Sequence, residues 1–186
     1  MKAEIERDKY RKAWGHDDYR QYSPGEFAVS EYIQNCKPKR TTVIDFGTGT
    51  GRAALALYNL GFDVAMIDIA DNCLDKDVAD KLGRNLLIAN LWDKLDVPRS
   101  EEGYCTDVME HIPPEHVQAV IENILNLCNR AFFQICLTED HFGKVLGEHL
   151  HLTVQTYDWW REMLSGYGHI LYEKDMGNDA QFYVSS

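Results

Sequence analysis

Short apolar runs alternate with amphipathic stretches over most of the chain. Thr41 to Phe46 is apolar and β-branched and predicts a first strand. Arg52 to Leu60 is rich in Ala and Leu, predicts a helix, and stops at Gly61. The same logic places a second strand at Asp63 to Ile69 and a polar helix at Asn72 to Leu82. A short third strand follows at Asn85 to Ala89, and a fourth within Gly103 to Asp107. Val117, Val120, Ile121, Ile124, Leu125 and Cys128 recur at helical spacing, and Ala131 to Leu137 reads as a fifth strand. Near-continuous apolar strands between amphipathic helices argue for a doubly wound, mostly parallel sheet covered on both faces.

The two ends differ from this middle. Residues 1 to 14 predict a polar helix, interrupted by Gly15-His16-Asp17-Asp18. Ser23-Pro24-Gly25-Glu26 carries a helix start: Ser at the N-cap, Pro at the first helical position and Glu three residues on. Val29, Ile33 and Cys36 then share one helical face. At the other end, Tyr157 to Leu164 predicts a helix. His169 to Lys174 and Gln181 to Val184 predict two strands joined by Asp175-Met176-Gly177-Asn178-Asp179, a connection short enough only for an antiparallel hairpin. The expectation is an α/β fold with a seven-stranded sheet, in one domain over residues 1–186. Residues 1–40 would form an N-terminal helical lid and residues 41–186 the core.

Composition adds exclusions. Hydrophobic residues make up 45% and charged residues 26%, which is ordinary for a globular chain. No apolar run is long enough to span a membrane and the first residues lack a signal-peptide core, so a cytoplasmic protein is expected. Five scattered cysteines with no CxxC spacing read as reduced core residues. The net charge is −11, and the acidity lies beyond residue 40. Such a surface repels a phosphate backbone, so a nucleic-acid partner is disfavoured.

The segment that carries chemistry is Val43-Ile44-Asp45-Phe46-Gly47-Thr48-Gly49-Thr50-Gly51-Arg52, where a strand turns into a helix. Glycines there let the backbone approach a ligand, and a helix N-terminus offers free N–H groups. The next strand ends in Asp68, an acid able to accept both hydroxyls of a ribose.

This combination resembles the class I, Rossmann-like, S-adenosylmethionine-dependent methyltransferases, over about residues 41 to 186. The pattern is also similar to compact phage-encoded methyltransferases. The resemblance implies that S-adenosylmethionine is the cofactor and that Asp45, Phe46, Gly47, Thr48, Gly49 and Gly51 lie against its methionine part. It implies Asp68 and Ile69 at the ribose, and Asn90, Leu91 and Trp92 at the adenine, with Asn90 where the family more often has Asp. Cys105-Thr106-Asp107-Val108-Met109-Glu110-His111-Ile112-Pro113-Pro114 resembles the family's Asp-x-x-Glu-His element and would put Asp107, Glu110 and His111 beside the transferred methyl. In the lid, Arg20 is a candidate partner for the cofactor carboxylate, and Tyr10, Trp14, Tyr19 and Tyr22 are candidate pocket walls.

The stretch from Glu139 to Trp160 is the candidate acceptor region. His149 and His151 are the candidate general bases, beside His111 and Glu110. Glu148, His149 and His151 match no usual ligand spacing, so no metal is expected. No Asp/Asn-Pro-Pro-Tyr element follows the fourth strand and no Pro-Cys nucleophile is present, which disfavours methylation of DNA bases. A small-molecule or protein acceptor remains. A non-catalytic S-adenosylmethionine-binding protein and an NAD-dependent oxidoreductase are the alternatives. The missing Tyr-x-x-x-Lys pair and the terminal hairpin count against the oxidoreductase.

Overall fold

Each apolar run identified above is a strand of one sheet in the computed structural model, which describes residues 2–186; Met1 lies outside them. The strands are β1 (Thr42–Phe46), β2 (Asp63–Asp68), β3 (Leu86–Ile88), β4 (Ser100–Thr106), β5 (Cys128–Cys136), β6 (His169–Asp175) and β7 (Asp179–Ser185). Their order across the sheet is β3-β2-β1-β4-β5-β7-β6. The first five pair in parallel; β7 runs antiparallel to both β5 and β6. This is the Rossmann-like methyltransferase fold. Strand order reverses between β1 and β4, and a ligand cleft is expected beyond the carboxyl ends of those two strands.

Helices cover both faces. Lys2–Trp14 forms α1, Asp17–Gln21 α2 and Pro24–Glu31 α3, which widens into a π turn over Tyr32–Cys36. Arg52–Asn59 is α4, Lys76–Leu82 α5, Val117–Leu127 α6, Gly143–Leu146 α7 and Tyr157–Ser165 α8. The stripe Val117, Val120, Ile121, Ile124 and Leu125 of α6 is fully or almost fully buried against one sheet face, together with Phe133, Trp160 and Phe182. On the other face Tyr32, Leu57, Phe132 and Tyr104 form the second core layer. Among the described residues, no helix is long and apolar enough to cross a membrane.

Four local expectations change, each for a physical reason. β4 begins at Ser100 and not Gly103, because Glu102 is a strand residue with 0% exposure whose charge is satisfied internally. α6 ends at Leu127; Cys128 is extended (φ −127°, ψ 146°) and opens β5. Residues 72–75 are loop, not helix, since the carbonyls of Asn72, Cys73 and Leu74 accept from Arg20 instead of from a following turn. Ser23 precedes α3 without capping it; its hydroxyl accepts from Thr50 Oγ1 at 3.2 Å and so ties the N-terminal segment to the Gly-rich turn.

Candidate active site

At the switch point the chain leaves β1 through Gly47, Thr48 and Gly49 before entering α4. Gly47 and Gly49 have φ of 71° and 53°, a left-handed backbone that side chains disfavour. A Cβ on Gly49 would stand 2.9 Å from Trp14, so the turn fits under the lid only without one. Asp45, ending β1, is 2% exposed and accepts from Thr48 Oγ1 at 2.6 Å. Asp68, ending β2, is likewise buried. Its two oxygens accept from the backbone N–H groups of Gly49 and Ala70, each at 2.9 Å, so it holds the Gly-rich turn in place.

Two adjoining cavities open here and share Trp14, Tyr19, Gly47, Asp107 and His111. One, of about 90 Å³, lies between Tyr10, Asp68, Ile69, Leu91, Trp92, Val108 and Ile112. The other, about 420 Å³, runs from Asp45, Thr48 and Gly49 past Ser23 and Thr106 to Cys136, Asp140, His141 and His151. Seven carboxyl residues line them: Glu6, Asp18, Asp45, Asp68, Asp107, Glu139 and Asp140. Among the described residues no lysine or arginine does.

The roof is built from two segments far apart in the chain. Lys9 and Lys12 of α1 donate to the carbonyls of His149 (3.1 Å) and Leu146 (2.6 Å). Ala13 packs with Leu146 and Leu150, and Tyr19 contacts Trp14 and Phe142 at ring-centroid distances of 4.7 and 5.1 Å. The aromatic preamble and the insertion after β5 therefore close over the cleft together.

The sequence-predicted residues separate on this geometry. Asp45, Gly47, Thr48, Gly49, Asp68, Ile69, Leu91, Trp92, Asp107, His111 and His151 line the cavities. Asn90 lies between two lining residues, Ala89 and Leu91. Its amide donates to Asp93, and its carbonyl oxygen is buried without a partner, a vacant acceptor beside the narrower cavity.

Five expectations need correction. Phe46 points into the core with 0% exposure. Gly51 stands behind the turn as the N-cap of α4, against Val78 and Leu74. Arg20 is committed to Asp75 and to the carbonyls of Trp14, Asn72, Cys73 and Leu74, so it clamps a loop instead of facing the cleft. His149 is exposed and lines neither cavity. Glu110 is fully buried behind the wall, with no face on either cavity.

Sequence reading also missed Thr106, Cys136, Thr138 and Phe142, which line the larger cavity or pack at its edge. Cys136 had been assigned to the core. Its position at the end of β5 is the signal that was available, since ligands gather at strand carboxyl ends.

The electrostatics of the cleft are unusual. Burial pushes Asp45 up to about 7, with Asp68 adding to the rise and Thr48 opposing it. Burial raises Asp68 to about 6 against the two backbone donors, and burial with Asp179 raises Asp107 to about 7. Asp107 also holds a left-handed backbone, φ 52°, uncommon for a side-chain-bearing residue and often found at functional positions. Burial lowers His111 to about 3, with His151 contributing. His111 is therefore neutral, and because its Nδ1 donates to Leu150 O (3.0 Å), Nε2 is the free acceptor. His151 is held the same way, Nδ1 on Thr138 O at 2.6 Å.

The raised acids fix a pH dependence. A carboxyl whose folded pKa lies above its unfolded value stabilises the fold at low pH and loses that contribution as pH rises through the folded value. His111 acts oppositely, but its effect is complete above its unfolded pKa of about 6.5. Between pH 6.5 and 8 only the acids remain, so the ligand-free protein is expected to lose melting temperature across that window, as measured by scanning calorimetry.

Comparison with known proteins supplies the family. The family described as a methyltransferase domain matches residues 19–176. A sequence comparison with curated proteins returned no match. Among solved structures, the PH0226 protein of Pyrococcus horikoshii OT3 superposes with a TM-score of 0.68 at 14% identity, covering 92% of each chain. Magnesium protoporphyrin IX methyltransferase of Synechocystis PCC 6803, with bound S-adenosylhomocysteine, gives 0.65 at 18% identity, covering 96% of this chain and 94% of its own. The N-terminal domain of EvdMO1, in the presence of S-adenosylhomocysteine and D-fucose, gives 0.65 at 14% identity over 89% and 84%. With residues 19–176, most of its length, matched by that family, the chain belongs to the methyltransferase-domain family.

Proposed function

We propose that the chain transfers a methyl group from S-adenosylmethionine to a small, uncharged or cationic acceptor. The observation that carries this reading is the chemistry of the cleft: acidic side chains and aromatic rings line it, and among the described residues no lysine or arginine does. Asp68 would take the ribose hydroxyls. Ile69, Leu91 and Trp92 would enclose the adenine, and the vacant oxygen of Asn90 would accept from its amino group. Asp45, Thr48 and Gly49 would face the methionine part. With Arg20 occupied, the backbone N–H groups that open α4 are the donors left for the cofactor carboxylate. The sulfonium and ammonium charges then meet the raised acids.

Methyl transfer needs an acceptor lone pair in line with the carbon–sulfur bond. As the new bond forms, the carbon–sulfur electron pair returns to sulfur, giving S-adenosylhomocysteine. His111 Nε2 would hold the acceptor N–H or O–H in place; with its pKa near 3 it orients the acceptor without keeping the proton, which would stay on the methylated, positively charged product and be lost to solvent when the product leaves. The lid formed by residues 1–40 would exclude water during the step. The enclosed, aromatic roof favours a small molecule over a protein side chain.

Three results test this reading. Cofactor and protonated acids compete, so affinity for S-adenosylmethionine should rise from pH 6 to 8, and more steeply than affinity for uncharged-sulfur S-adenosylhomocysteine. In an acceptor panel scored by S-adenosylhomocysteine release, amines and neutral phenols should turn over and carboxylates and phosphates should not. His111→Ala should lower kcat about tenfold or more, whereas the exposed His149→Ala should match wild type. Turnover confined to anionic acceptors contradicts the proposal.

A further inference from the structure

At the acceptor end of the cleft meet three side chains to which the methyl-transfer reading gives no role. Glu110 has 0% exposure, and neither of its carboxylate oxygens makes a full hydrogen bond, although the backbone N–H groups of Glu110 and Cys136 stand near them. A carboxylate removed from water and held only by such weak donors is disfavoured, and proteins neutralise it with a proton or a cation. A Glu110 oxygen, Cys136 Sγ and one ring nitrogen of His151 lie within 4.8 Å of one another.

These groups converge from three separate elements: the turn after β4, the end of β5 and the insertion beyond it. None of the usual ligand spacings brings them together, which is why the sequence alone predicts no metal. The surroundings also suit a ligand set. Thr138 O accepts from His151 Nδ1, fixing the tautomer in the way that backbone carbonyls orient metal-bound histidines. The Thr138 hydroxyl lies 3.3 Å from Cys136 Sγ, close enough to donate to a thiolate. Asp107 adds negative charge next to Glu110. Cys136 and His151 both line the larger cavity, which provides an entry path and an open position.

We propose that Glu110, Cys136 and His151 bind one divalent transition-metal ion, with its open side toward the acceptor end of the cleft. One oxygen, one sulfur and one imidazole form a donor set suited to zinc and not to magnesium or calcium. Ligand bonds of about 2.0–2.3 Å require the three side chains to draw in from their present separation, by rotation at the cavity wall. The site makes His151 a ligand and not a base. On the methyl-transfer reading the ion would polarise an acceptor hydroxyl or amine, and that consequence rests on the reading above; the binding itself does not.

The test uses the full chain, stripped with chelator and titrated with Co²⁺ and Zn²⁺ in the absence of cofactor. One equivalent of Co²⁺ should bind with a near-ultraviolet thiolate charge-transfer band, and C136S should abolish that band. E110Q and H151A should each weaken Zn²⁺ binding at least tenfold, and Zn²⁺ should raise the melting temperature of wild type but not of E110Q. Metal-free E110Q should melt with wild type, because glutamine matches a protonated carboxyl in shape and neutrality. No stoichiometric binding at micromolar metal overturns the proposal. So does binding without the thiolate band, binding unchanged in E110Q and H151A, which assigns the ion to the other thiols, or a large loss of stability in metal-free E110Q, which makes Glu110 a structural residue. Because no arm uses S-adenosylmethionine, failure of the cofactor reading and failure of the metal site are read separately.

Discussion

Replacing Asp68 with alanine is expected to weaken S-adenosylmethionine binding about a hundredfold, from loss of two hydrogen bonds to a charged acceptor worth about 1.5–3 kcal/mol each, with some of that loss made up by water. The variant also releases the Gly-rich turn, because the N–H groups of Gly49 and Ala70 lose their acceptor. The fold should survive. Removing a buried carboxyl with a pKa near 6 relieves a desolvation cost that offsets the two unpaired donors. Asp68→Asn keeps one acceptor oxygen and should bind between the two. Calorimetric titration and melting of each variant separate the effects: wild-type melting with lost binding is the expected pair. Wild-type affinity in Asp68→Ala would remove the ribose from that carboxylate.

The second large effect is on stability. Glu102 is a charge with 0% exposure in the middle of β4. It accepts from Tyr183 (2.8 Å), Tyr32 (3.2 Å) and the Lys39 backbone (3.3 Å), and it pairs with Arg130 at 2.7 Å. Tyr32 comes from the N-terminal segment, Arg130 from β5 and Tyr183 from β7, so one carboxylate joins the lid's anchor to three strands. Taking away one partner of a buried pair strands the other, at about 3–5 kcal/mol. Glu102→Ala should therefore lower the melting temperature by about 10 °C, at about 2–4 °C per kcal/mol for a domain of this size. Glu102→Gln keeps the shape and one acceptor, and should fall by less. A Glu102→Ala protein that melts with wild type would show that Tyr32, Tyr183 and Arg130 find other partners.

Glu102 also illustrates what the sequence could and could not show. The apolar strands, the hairpin and α6 were legible because burial on a sheet face imposes a simple pattern on the chain. Ser100-Glu101-Glu102 hid the first half of β4, since a satisfied buried charge reads as polar. Only the fold reveals its partners. The Gly-rich turn, Asp45 and Asp68 were legible because positive φ and strand-end acids restrict residue type. Arg20 was misplaced for the opposite reason. An arginine near a cleft has many possible acceptors, and here the carbonyls of residues 72–74 take its donors. His149 and His151 are two residues apart and indistinguishable in sequence. In the fold His149 gives its carbonyl to Lys9 and its side chain is exposed, while His151 lines the cavity. Glu110, Cys136 and His151 converge only through tertiary packing, which no local spacing encodes.

The central claim is the cofactor, and calorimetric titration of the wild-type chain with S-adenosylmethionine, S-adenosylhomocysteine and NADH tests it most directly. Saturable micromolar binding of both adenosyl ligands with one site per chain, and none of NADH, is the predicted result. Binding of NADH without the adenosyl ligands would contradict the account and assign the Gly-rich turn to another nucleotide.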